Sequence, residues 1–163
     1  MKIKYSVLKT RFGAATVGTT EQGICCVLFD TDAVSELTRR FRPAELIKQE
    51  EPLHRKVVDL LDEWPASADK AAALPLHLMG TEFQVAVWQA LLQLKPGELS
   101  TYKNIAQKTG RPTAVRATGT AIGQNPVAVF VPCHRVLTSS GKLGGYRWGT
   151  AMKALLVERE KLS

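Results

Sequence analysis

Val131-Pro132-Cys133-His134-Arg135-Val136 follows directly on an apolar run, Val127-Ala128-Val129-Phe130-Val131. The β-branched and aromatic content of that run predicts a short buried strand. Pro132 brings no N–H and ends the ladder there. Cys133 and His134 then stand where the strand gives out, a position from which a side chain is aimed into a cleft. For an arbitrary Cys-His pair, a buried structural thiol is the favoured reading. Here three neighbours, His134, Arg135 and Arg147, can favour a thiolate. The Gly-rich segment 141–149 supplies backbone fit to line a pocket. Zinc fits poorly, because adjacent Cys and His side chains point apart and no CxxC or HxxxH partner exists. The stretch reads as a nucleophilic thiol.

The rest of the chain agrees with a reducing compartment. Its three cysteines, Cys25, Cys26 and Cys133, are odd in number and two are adjacent, so no disulfide framework is expected and the cytoplasm is the expected location. No apolar stretch approaches the length of a membrane span. The net charge of +7 lies wholly beyond residue 80, since Lys/Arg and Asp/Glu balance before it. A basic half beside a neutral half points to a polyanion, nucleic acid first.

Residues 2–10, 14–19 and 23–29 read as an antiparallel meander, with Cys25 and Cys26 as packing residues in its third strand. Asp32 is expected to cap a helix through Phe41, which Pro43 stops. Residues 51–64 carry a helical stripe of Leu53, Val57, Leu60, Leu61 and Trp64, with His54 on the surface. Residues 65–73 read as a linker, and the domain boundary is placed near residue 80. The chain thus divides into an α/β (α+β) domain, 1–80, and a mostly helical domain, 81–163.

In that second domain Thr81 caps a helix that buries Phe83, Val87, Trp88, Leu91 and Leu92. Ser100 opens a short helix over 101–108, and another runs from about Thr113 to Ile122. Helix, Gly-containing turn and helix make a helix-turn-helix pattern. Ala114, Ala117, Gly119, Thr120 and Ala121 leave the second helix nearly bare, with Arg116 its one long cation. Such a surface suits close approach to another helix or to a DNA groove, and the helix alone does not decide between them. The last helix, from 149 or 150 to 161, turns Met152, Leu155 and Leu156 inward. Glu160 near its end opposes the helix dipole, which points to a partner such as His134.

These residues resemble the O6-alkylguanine-DNA alkyltransferases, or methylated-DNA–protein-cysteine methyltransferases. The match runs from about Gly80 to Glu160 through Thr81-Glu82-Phe83-Gln84, Ser100-Thr101-Tyr102, Ala114-Val115-Arg116-Ala117, Asn125-Pro126-Val127, the PCHRV stretch and Gly144-Gly145-Tyr146-Arg147-Trp148-Gly149. The resemblance implies an N-terminal ribonuclease H-like small antiparallel sheet with helices. It also implies a monomer that binds duplex DNA carrying O6-alkylguanine through the minor groove, without a cofactor. Cys133 would accept the alkyl group, with His134 its base through a water and Glu160 orienting that base. Tyr102 would promote flipping and donate to the base, and Arg116 would fill the gap in the stack. Ala117, Thr120 and Ala121 would meet the groove, with Arg135 a further DNA-contacting cation. Asn125 would brace the turn before Cys133. Backbone at Cys133, Val136 and Arg147, with the Tyr146 ring as a wall, would hold the guanine.

Relatives with a structural zinc bind it through N-terminal Cys and His, and no such set is found here; no metal is expected. Trp148 puts bulk where some relatives carry glycine, so large inhibitors such as benzylguanine are expected to react poorly. Three rivals rank lower: a non-transferring lesion sensor, which would lack the cysteine; a transcription regulator, which would need base-reading side chains on 113–122; and a thiol hydrolase, whose His comes from elsewhere in sequence. The range of alkyl groups and the repair of alkylthymine stay open.

Overall fold

Three strands, β1 (Lys2–Thr10), β2 (Gly13–Thr20) and β3 (Gly23–Phe29), form the expected antiparallel meander. Every residue of β3 is buried, and Gly18 makes room for it, since a Cβ there would stand 2.6 Å from Cys26 Sγ. The outer edge of β3 is covered: Ile24 N–H donates to Pro75 O and His77 N–H to Ile24 O, at 2.9 and 2.8 Å. Helix α1 (Ala33–Arg40) starts at Asp32, whose carboxylate accepts the Ser35 N–H at 3.0 Å. A further strand, β4 (Glu45–Lys48), pairs parallel with β1 and gives the order β3-β2-β1-β4. Four residues with charged ends carry too little pattern to reveal it in the sequence.

Helix α2 (Pro52–Asp62) packs on β1 and β2. Val57, Val58, Leu60 and Leu61 are buried, as is Trp64 beyond its end; each such aliphatic side chain contributes about 1.5–3 kcal/mol. His54, expected on the surface, is fully buried. Its Nδ1 accepts from Ser6 Oγ at 2.7 Å and from the Glu51 N–H at 3.3 Å, while Nε2 lies 3.0 Å from Thr19 Oγ1. The third position of the helix lets it complete a capping box, which draws a polar ring inward. Residues 65–73 are no linker either: a short helix, α3 (Ala68–Ala71), follows buried Ser67, whose hydroxyl donates to Leu60 O.

The structure is a computed structural model that describes residues 1–162 and divides into two compact units, Met1–Leu78 and Met79–Ser163. In the second unit, α4 (Glu82–Leu92) opens with a capping box between Thr81 and Gln84, an arrangement worth about 1 kcal/mol. Val87, Trp88 and Leu91 are buried, but Phe83 is only half-buried and Leu92 is exposed. Ser100 does not open the next helix. It joins Thr101 in β5 (Ser100–Thr101), and Thr101 is the cap of α5 (Tyr102–Lys108), accepting the Asn104 N–H at 3.1 Å. After a turn comes α6 (Val115–Gly123), two residues shorter at its start than expected. The Trp88 indole locks α4 to it by donating to Ala121 O at 2.8 Å.

Residues 127–131 are buried as expected, yet form successive turns instead of a strand. Asn125 is the reason. Its Oδ1 accepts the Val127 N–H at 2.9 Å and its Nδ2 donates to Val131 O at 2.7 Å, so one side chain supplies what a ladder would. Val129 is held there at φ +70°, a backbone state costly for a β-branched residue. A 3-10 turn (Cys133–Arg135) then leads to β6 (Val136–Leu137), which pairs parallel with β5. Helix α7 (Thr150–Lys161) closes the unit. Its inward stripe is Lys153, Leu156, Val157 and Glu160, with Leu155 exposed and Met152 half-buried. Among the described residues no helix is long and apolar enough to cross a membrane.

Candidate active site

Cys133 lies on the floor of a pocket of about 290 Å³, 8% exposed. Tyr102 from the start of α5, Gly119, Ile122 and Gly123 from α6, Asn125, and residues 145–148 complete the lining. Gly144 approaches so closely that a Cβ there would stand 3.4 Å from the Tyr102 hydroxyl, and its φ of +71° suits glycine. The Arg147 guanidinium stacks on the Trp148 ring, 4.8 Å from its centroid.

Asn125 Nδ2 also donates to Cys133 Sγ at 3.2 Å. Burial pushes the thiol up, while this hydrogen bond and the charge of Lys153 pull it back. Beside the thiol, His134 is fully buried with Nε2 2.8 Å from Glu160 Oε2. The other carboxylate oxygen accepts from Arg135 Nε at 2.8 Å. Burial works against the charge of Glu160, but the hydrogen bonds from His134 and Arg135 outweigh it and hold its carboxyl at about 2. An ionised carboxylate only accepts, so Nε2 carries the proton. Burial lowers the pKa of His134 despite Glu160, so the ring is neutral at pH 7 and Nδ1 holds a lone pair. Among the described residues no hydrogen bond reaches that nitrogen. The arrangement is a buried thiol with a neighbouring base whose tautomer is fixed from behind. Tyr102, pushed up by burial and by Cys133, keeps its proton at neutral pH.

Several sequence-derived assignments do not meet at this pocket. Arg135 is 4% exposed, with Nε and Nη2 on Glu160 and Nη1 on Leu94 O. A buried guanidinium with all three nitrogens bonded inside the protein is placed as a strut of the site, away from the DNA contact expected of it. Val136 is buried outside the pocket lining, and its carbonyl accepts from Lys153 Nζ at 2.7 Å. Arg116, Ala117 and Thr120 are exposed along a separate groove between α4 and α6. Ala121 borders that groove but is 2% exposed, being turned toward Trp88. The sequence reading missed Lys153. It is fully buried, with Nζ bonded to three carbonyls. Among the described residues no cluster of three or more His, Cys, Asp or Glu is placed to hold a metal ion.

A sheet-and-helix unit followed by helices around a Cys-His-Glu pocket has counterparts of known structure. Residues 82–162 match the family model "6-O-methylguanine DNA methyltransferase, DNA binding domain". The chain is 37% identical over 89% of its length to the inducible methylated-DNA–protein-cysteine methyltransferase of Bacillus subtilis, covering 83% of that protein. It is 39% identical to the bifunctional transcriptional activator/DNA repair enzyme Ada of Escherichia coli over 98% of its own length, but spans only about half of that relative (46%). The structure of Mycobacterium tuberculosis OGT in complex with DNA superposes with a TM-score of 0.79 at 33% identity, covering 98% of this chain and 93% of that one. The chain belongs to the methylated-DNA–protein-cysteine methyltransferase family.

Proposed function

We propose that this chain repairs O6-methylguanine in duplex DNA by moving the methyl group irreversibly to its own Cys133. The observation that carries the reading is a thiol at the base of a small pocket, next to a histidine whose proton is fixed on the Glu160 side. A stacked base cannot reach a buried thiol, so the damaged nucleotide turns out of the helix into the pocket. The exposed face of Arg116, Ala117 and Thr120 supports minor-groove docking, small side chains letting the backbone come close and Arg116 filling the vacated stack. The excess of cations beyond residue 80 supports a phosphate-binding role for the same unit.

In the reaction, the Cys133 proton passes through a water to His134 Nδ1. Sγ then attacks the methyl carbon, so that an S–C bond forms as the C–O6 bond breaks and its electron pair goes to the guanine oxygen. Tyr102 gives the base a proton and is reprotonated from solvent, while the imidazolium releases the one it took. Tyr146 walls the pocket and Asn125 holds the thiol. The product is a thioether, which nothing in the site cleaves, so each molecule acts once. The three free cysteines support a cytoplasmic setting, where thiols stay reduced. A lesion sensor that binds without transfer would have no use for a thiol held in this way.

The test is loss of O6-methylguanine from a duplex titrated with protein. Repair should stop at one lesion per molecule and vanish in Cys133→Ser; turnover beyond one equivalent overturns the proposal.

A further inference from the structure

We propose that Lys153 is a positioning residue of this pocket: it ties the loop that forms one wall to helix α7 and presents its charge to Cys133. The side chain is fully buried in the first turn of α7. Its Nζ donates to Val136 O at 2.7 Å, to Gly145 O at 3.1 Å, and to Leu143 O. Val136 immediately follows the Cys133 turn, whereas Leu143 and Gly145 belong to the loop whose residues 145–148 line the pocket. One ammonium therefore joins both ends of the excursion that builds this wall. It also stands 6.0 Å from the centroid of the Tyr102 ring, which forms another wall.

Chemistry separates this role from a proton donor's. An ammonium has three N–H bonds and here it meets three carbonyls, so no donor is left for a substrate. A neutral amine has only two, so the carbonyls favour the charged form against the burial that lowers the Lys153 pKa. That charge reaches Cys133, whose other ionisable neighbours are His134, Tyr102 of α5, Tyr146 and Arg147 of the loop, and Glu160 of α7. Gly141 and Lys142 are tied back to Thr138, and Lys153 is what holds Leu143 and Gly145 beyond them. Removing the ammonium therefore frees the wall and removes a thiolate-stabilising charge together.

The inference takes its meaning from the alkyl-acceptor reading, but its test uses no DNA, so the two can fail separately. Lys153→Met and Lys153→Arg are compared with the native chain by hydrogen exchange over residues 138–148. The pH dependence of Cys133 carboxamidomethylation by iodoacetamide is read by peptide mass. Lys153→Met should exchange faster in that segment and shift the alkylation midpoint up by roughly one pH unit. Lys153→Arg should restore the midpoint and much of the protection. Native exchange with a native midpoint in Lys153→Met overturns the inference. If Lys153→Met does not fold, Lys153→Gln is read in its place, with the same outcomes deciding.

Discussion

Asn125 Nδ2 stands 3.2 Å from Cys133 Sγ while the same amide spans the turn between Val127 and Val131. One side chain thus sets both the path of the backbone before the thiol and the thiol's own environment. Its burial makes every one of these bonds costly to lose.

Asn125→Ala therefore removes three hydrogen bonds and leaves the buried Val127 N–H unpaired, while Val131 O keeps only the Cys133 N–H. That orphaned group costs about 1–3 kcal/mol, and the strained Val129 turn loses its brace. Urea denaturation should show a loss of roughly 2–4 kcal/mol. Iodoacetamide should label Cys133 more slowly at neutral pH, since a hydrogen bond that favours the thiolate is gone.

The His134–Glu160 pair makes stability fall in acid, in a stated window. The folded carboxyl of Glu160 sits at about 2 against an ordinary 4.5. A depressed acid stabilises the fold above its ordinary value and loses that contribution as pH falls toward 2, here about 3 kcal/mol. His134, whose folded pKa lies below 6.5, acts in the same direction and earlier, because the unfolded ring takes up a proton first. Urea midpoints of the native chain should thus decline below about pH 6.5 and more steeply below about 4.5. Glu160→Gln should be less stable at pH 7, and its curve should converge on the native one toward pH 2. Parallel curves would contradict this origin of the acid sensitivity.

Much of this site is legible in the sequence, and what is not has particular causes. The Cys133-His134 pair and its link to Glu160 could be inferred from a thiol beside cations and an acid at the wrong end of a helix. The inward stripe of α7 was misread by one position. Lys153 and Glu160 share a face with Leu156 and Val157 at the right helical spacing, but two charges in a stripe read as the solvent side. Arg135 was misassigned for the related reason that an isolated cation near a nucleic-acid site looks like a phosphate contact. The turn at 127–131 was misread as a strand because a short buried apolar run does not show how its backbone groups are paired; Asn125, just outside the run, pairs them.

Arg116 and Arg135 should accordingly part company in DNA binding. Arg116→Ala should weaken binding to duplex and lower the salt dependence by about one phosphate's worth of counterion release. Arg135→Ala should cost about 3–5 kcal/mol of stability by stranding Glu160. Where it stays folded, at low temperature, its salt dependence should be native. A reduced slope would return Arg135 to the DNA surface.

Trp148 narrows the pocket and is backed by Arg147. Free benzylguanine should therefore inactivate the native chain slowly, and Trp148→Gly should speed that inactivation by an order of magnitude or more while a methylated duplex is still repaired. An unchanged benzylguanine rate would remove Trp148 as the determinant.

The central claim is transfer to Cys133, and intact-protein mass after incubation with a duplex carrying one O6-methylguanine tests it most directly. The native chain should gain one methylene's worth of mass, at most once per molecule. Peptide mapping should place it on Cys133, and Cys133→Ser should gain nothing. Binding to the lesion with no change in mass, or a methyl group on any other residue, would contradict the account.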